Sequence, residues 1–259
     1  VFHASLGHDY QQLVDEARRL APSARVLGCS CCGVVGREGV SESMKDVAIM
    51  AVRGAGQIAV AHVDGIYGHN ALEKATELAE QLRAADAGVN MVYFLASGID
   101  IDDDACVRGI ESVLGPEVTI FGATSADNMK GIASFQMVDD TVYEHAAYAV
   151  GFSDPSLSVI TQATHGFIAV GDPLVVTRCE GNRIIELNGR PAWEAYTERL
   201  QLPATATCGD TIPVGALAER LPPDLAEEYG NEHILRVVTK HDADGTMHYP
   251  TSIAEGTEL

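Results

Sequence analysis

The sequence predicts an α/β protein built from internally duplicated strand–helix–strand units that form mixed sheets, followed by the start of a second, α+β module. Three observations predict it. A strand-like opening occurs twice, as Phe2-His3-Ala4-Ser5-Leu6-Gly7 and as Phe94-Leu95-Ala96-Ser97-Gly98. Each copy continues into apolar residues at helical spacing, and each then passes a proline into a glycine-bearing apolar strand.

In the first copy Leu13, Ala17 and Leu20 mark a helix over Asp9–Leu20, and Pro22 ends it. Arg25-Val26-Leu27-Gly28-Cys29-Ser30 is the strand that follows. In the second copy Val107, Ile110, Val113 and Leu114 mark a helix over Asp102–Leu114, closed by Pro116, before Thr119-Ile120-Phe121-Gly122-Ala123-Thr124. The run Asp100–Asp104 precedes that helix, where carboxylates cap free N–H groups and complement the dipole. Val47–Val52 then matches Ala146–Phe152 as strands apolar on both faces. Gln57–Gly65 matches Leu157–Gly166, each ending in glycine. The repeats span about residues 1–90 and 91–180. Asn188-Gly189 is a tight turn and Pro191 opens a helix through Trp193 and Tyr196. The prolines between Gln201 and Pro223 place a boundary near residue 200, giving modules 1–200 and 201–259.

Charge narrows the partners. Seventeen basic residues against 37 acidic ones give a net charge of -20, a field that repels a phosphate backbone, so nucleic acid is not an expected partner. No apolar run approaches the roughly 18 residues of a membrane span. The opening VFHAS has neither Met nor a signal-like segment, which reads as a fragment, and six cysteines in so long a chain fit a reducing cytoplasm better than a disulfide framework.

Sheets of this kind bind ligands where loops leave the carboxyl ends of strands. The two equivalent loops are Gly28–Gly36 and Gly122–Asn128, and a pseudo-two-fold packing would set them across one cleft. The candidate contacts there are Gly28, Cys29, Ser30, Cys31, Cys32 and Gly33 on one side, with Gly122, Thr124, Ser125, Asp127 and Asn128 on the other. Three readings of Cys29, Cys31 and Cys32 stay open. They are small turn residues, or ligands of a zinc ion or iron–sulfur cluster, or reactive thiols of an uncharacterised enzyme. The second loop makes its turn without any thiol, so the turn itself does not require cysteine. His165, at the end of an apolar stretch, stands where the first copy has Asp64. Arg178 offers a planar fork to a carboxylate. His3 and His8 flank the first Ser-Leu-Gly turn and are weaker candidates. No nucleophile elbow, P-loop or dinucleotide fingerprint occurs.

His165-Gly166-Phe167, Val170–Arg178 and Glu180-Gly181-Asn182 through Glu186–Ala192 and Tyr196 resemble the signature of the FIST sensory domain. The strand ends Val26–Ser30 and Phe121–Ala123 resemble the glycine-bearing strands of its N-terminal module, and Glu232–Val238 with Pro250–Thr257 the start of its C-terminal one. The resemblance implies a cytoplasmic, non-enzymatic sensory module that binds a small ligand such as an amino acid, with a C-terminal module that continues beyond Leu259. One bacterial branch of the family implies haem, nitric-oxide sensing and a partner histidine kinase, with His165 as the candidate haem ligand.

Overall fold

The computed structural model describes residues 1–54, 58–128, 130–157, 159–160, 165–203 and 205–259. Two compact units divide it, Val1–Val159 and Ile160–Leu259. The division falls well before residue 200, because the segment that begins at Leu174 pairs with the end of the chain. Leu174 and Leu259 exchange backbone hydrogen bonds, and Asn182 accepts from the N–H of Tyr249.

The first unit begins with β1 (Phe2–Ser5), α1 (Tyr10–Leu20) and β2 (Leu27–Cys31). Asp9 caps α1 by accepting the N–H of Gln12 at 3.0 Å, and the helix buries Tyr10 and Val14. A short hairpin follows, β3 (Val34–Gly36) and β4 (Gly39–Ser41), then β5 (Val47–Ile49), β6 (Ile58–Asp64) and α2 (Ala71–Ala85). The second copy runs β7 (Met91–Ala96), α3 (Asp103–Leu114), β8 (Thr119–Thr124), the hairpin β9 (Phe135–Val138) and β10 (Thr141–Glu144), and β11 (Ala146–Phe152). Asp102 caps α3 through the N–H of Ala105 at 2.9 Å, the capping role expected of the acidic run.

The duplication is visible in the pairing. β1 is parallel to β2 and antiparallel to β5, and β7 is parallel to β8 and antiparallel to β11. One mixed sheet has the order β10-β9-β2-β1-β5 and the other β6-β11-β7-β8. The copies exchange strands: the second copy's hairpin extends the first copy's sheet through β9 on β2, while β6 of the first copy extends the second sheet. The expected counterpart of β6, Leu157–Gly166, lies partly outside the described residues. Its described part forms no strand.

Period-two alternation along the strands sorts the side chains into layers. Phe2, Ala4 and Val26 pack with Tyr10 and Val14 of α1. Leu27 and Cys29 of the first sheet meet Leu95, Tyr148 and Val150 of the second. Val92, Phe94, Ala147 and Ala149 face α2 and α3. The unit is therefore four-layered, helix on sheet on sheet on helices.

The second unit centres on the antiparallel pair β12 (Val176–Glu180) and β13 (Arg183–Leu187), joined by the strand Met247–His248, with α4 (Ala192–Arg199) packed against it. Its core includes Leu187, Trp193, Tyr196 and Tyr249. No helix among the described residues is long and apolar enough to cross a membrane.

Candidate functional site

The two strand-end loops do meet, and hydrogen bonds join them directly. Ser30, fully buried at the end of β2, donates its hydroxyl to the carbonyl of Ala126 at 2.8 Å and accepts the N–H of Phe135, while its own carbonyl accepts the N–H of Ala126. Ser125 belongs to a buried network with Ser97, Ser134 and Gln136, whose amide oxygen accepts the N–H of Ala146 at 2.8 Å. The Asp127 carboxylate accepts backbone N–H groups from Lys130, Gly131, Ile132 and Ala133. Burial opposes its charge, yet these four donors hold its carboxyl below the ordinary range. Ser30, Ser125 and Asp127 are thus occupied in fastening the loop that carries β9 across to the first sheet. Thr124 and Asn128 are exposed, and Asn128 takes a left-handed φ of 58°.

Gly28 and Gly122 are structural. A side chain at Gly28 would come within 2.8 Å of the Phe2 ring, and one at Gly122 within 1.7 Å of the Phe94 carbonyl oxygen. Gly33 sits at the base of the β3–β4 hairpin, where a side chain would meet the Ser41 carbonyl at 2.8 Å. Cys29 is buried, and Cys31 and Cys32 are half-buried. Among the described residues no group of three or more His, Cys, Asp or Glu side chains is placed to hold a metal ion.

His165 and Arg178 belong to the second unit. Both imidazole nitrogens of His165 are engaged by backbone. Nε2 donates to the His233 carbonyl at 3.1 Å and Nδ1 accepts the N–H of Phe167 at 3.3 Å. That arrangement leaves no ring nitrogen for an iron, so His165 does not fit as a haem ligand here. Arg178 pairs with Glu186 across β12 and β13 at 3.0 Å, an exposed ion pair of small energetic weight.

The concave site lies in the first unit, between the faces of its two sheets. A cavity of about 1100 Å³ opens there, walled by apolar side chains such as Leu27, Val60, Val150 and Phe152, with the β3–β4 hairpin along its rim. His3 of β1 and Tyr93 of β7 bring polar groups from the two sheets, and Arg25 and Asp46, with Arg37, Glu38 and Ser41 of the hairpin, also line it. His3 Nε2 lies 3.4 Å from the Tyr93 hydroxyl, and His3 Nδ1 lies 3.5 Å from Cys29 Sγ. A neutral imidazole carries one proton, so it donates one of these bonds and accepts the other. Behind Tyr93 stands Tyr148, whose hydroxyl is buried without a hydrogen-bond partner among the described residues.

Burial governs the charge of this group. It lowers the His3 pKa, raises the Tyr93 phenol, raises Tyr148 further, and pushes the Cys29 thiol up to about 12. All four side chains are neutral near pH 7. The thiol–imidazole pair is therefore a hydrogen-bonded pair of neutral groups.

Tyr93 and Tyr148 stand in no motif. His3 is signalled in the repeat itself: in Phe2-His3-Ala4-Ser5 against Phe94-Leu95-Ala96-Ser97 it is the one polar departure, and Leu95 fills the same inter-sheet layer.

A family model described as the FIST N domain matches residues 1–190. No curated protein and no solved structure matches the chain.

Proposed function

We propose that this chain, which belongs to the FIST N domain family of signal-transduction sensory proteins, takes its signal as a small molecule bound between the two sheets of its first unit. The ligand has a largely apolar body and one uncharged hydrogen-bonding group. The observation that carries this reading is the cavity of about 1100 Å³ whose largely apolar wall carries the His3–Tyr93 pair. Its volume lies just above the roughly 300–1,000 Å³ of ordinary small-molecule sites, and a few convergent polar groups on a largely apolar wall are the usual way such sites fix orientation. The neutral state of His3, Tyr93 and Cys29 sets the ligand class. Beside this neutral pair a bare charge would lose its hydration, whereas a hydroxyl or a ring N–H would find both a donor and an acceptor.

Thermal-shift measurements with indole, 4-methylphenol and free amino acids as probes test the reading. Indole and 4-methylphenol should raise the melting temperature of the chain, and the zwitterionic amino acids should not. Val150→Trp, which fills the cavity, should abolish the response while the protein remains folded. Equal responses to amino acids, or a response unchanged in Val150→Trp, would rule the proposed site out.

A further inference from the structure

The duplication leaves one strand edge without its expected cover. In the first sheet the outer edge of β2 is covered by β9, with Gly28 opposite Met137. The equivalent edge in the second sheet belongs to β8, for which β7 is the hydrogen-bonded neighbour among the described residues. By the symmetry of the copies, the β3–β4 hairpin is the counterpart of β9–β10. It cannot reach β8. The link from β8 to β9 spans residues 125–134, whereas only Cys32 and Gly33 separate β2 from β3.

The open edge is a well-formed template. The N–H of Thr119 donates to Asn90 and that of Ser125 to Ala96, both toward β7. Strand alternation therefore turns the N–H and C=O groups of Ile120, Gly122 and Thr124 outward. Residues 118–126 contain no charged side chain and no proline. Gly122, Ala123 and Thr124 are exposed. The other edge strands of the first unit's two large sheets carry the usual protections: β5 has three residues, β10 ends in Glu144, and β6 ends in Asp64.

We infer that this edge is an interface between two copies of the chain, joined by antiparallel pairing of β8 with β8 about a two-fold axis through Gly122. A two-fold axis perpendicular to the sheet keeps each face on its own side, so paired residue numbers must sum to an even number. Centring on Gly122 meets that condition and brings all three outward residues into use. Gly122 then pairs with itself and Ile120 with Thr124 of the second copy, each pair exchanging two hydrogen bonds. Phe121 faces Ala123 of the second copy, large against small on the cavity side. A second copy suits the strand because its side chains from Val118 to Ala126 are uncharged; in this register the first like charges to meet are Glu117 and Asp127 of the second copy, beyond the ends of β8. The acidic field of the whole chain opposes association, which makes the dimer salt-strengthened.

Sedimentation velocity of the full chain over a concentration series in about 1 M sodium chloride, where the Debye length is about 3 Å, tests this together with amide hydrogen exchange. Wild type should pass from monomer to dimer as concentration rises, and the amides of Ile120, Gly122 and Thr124 should slow in step. Thr124→Pro removes an outward N–H at an edge position that tolerates proline, and should sediment as a monomer throughout. Thr124→Val, which keeps the N–H, should dimerise as wild type does. If circular dichroism shows Thr124→Pro unfolded, Thr124→Lys takes its place with the same expectation. A wild type monomeric at its solubility limit overturns the inference. So does a folded Thr124 variant that still dimerises, or a dimer whose three amides exchange at the monomer's rate.

Discussion

His3 Nδ1 lies 3.5 Å from Sγ of Cys29, its cross-strand neighbour on β2, in a layer otherwise filled by aliphatic and aromatic side chains. The pair marks where the two copies of the duplication diverge. Leu95 serves the apolar layer in one copy, and His3 gives the other a hydrogen-bonding wall.

His3→Leu should therefore stabilise the fold. It replaces a desolvated polar ring with apolar surface, worth roughly 1 kcal/mol at this half-buried position. The gain should grow on acidification. The His3 pKa lies below its ordinary 6.5, so just under that pH the unfolded chain binds a proton that the folded one resists. Stability then falls as pH falls, and this contribution is flat above 6.5. Urea denaturation of wild type and His3→Leu at several pH values reads the difference directly. Parallel curves would show that His3 titrates normally. The same variant should weaken the response to indole.

The three clustered cysteines should react in a fixed order. Cys29 is 1 % exposed with its thiol pushed up to about 12, while Cys31 and Cys32 are half-buried. Thiolate fraction and access both control alkylation. Pulsed iodoacetamide at pH 8 followed by fragment mass spectrometry should find label on Cys31 and Cys32 long before Cys29. Early modification of Cys29 would contradict its burial between the sheets.

Asp127→Ala should destabilise the first unit by roughly 2–3 kcal/mol, because it leaves four backbone N–H groups without their shared acceptor. Its carboxyl is held below the ordinary 3.8, so the stabilisation is present above that value and lost as pH falls through and below it. Asp127→Asn keeps one acceptor and should lose less. Amide exchange of β9, the strand this loop delivers to β2, should accelerate more than that of β7.

Much of the fold is legible in the sequence because the repeat is. Phe2–Ser5 and Phe94–Ala96, the two helices and the two glycine strands occupy equivalent places, and Val47–Ile49 and Ala146–Phe152 pair as counterparts. Helix α2 is not reached by that comparison, although Ala71, Ala75, Leu78, Ala79 and Leu82 mark one buried face at helical spacing. The exchange of β9 and β6 between sheets is not legible locally, since it depends on link length and on Asp127 fastening the loop. The site is only half legible for a related reason. The glycine loops are readable as motifs, but their polar side chains are spent on each other. The cavity wall is assembled from His3, Tyr93 and Tyr148 on three strands distant in sequence, where single polar residues in apolar runs give no spacing to detect.

The equivalent glycines should differ sharply in their tolerance of a methyl group. At Gly28 the obstacle is the Phe2 ring at 2.8 Å, a side chain that can shift within its packing. Gly28→Ala should cost about 1–3 kcal/mol, the usual range for an overpacked core, and leave the fold intact. At Gly122 the obstacle is the carbonyl oxygen of Phe94 at 1.7 Å, part of the ladder that joins β7 to β8, and φ is 156°. Relief there requires the strand to leave its partner. Gly122→Ala should therefore melt well below Gly28→Ala, with the amides that bond β8 to β7, those of Phe121 and Ala123 among them, losing protection while those of β2 keep theirs. Equal melting temperatures for the two variants would mean that β8 does not lie against β7 in this register.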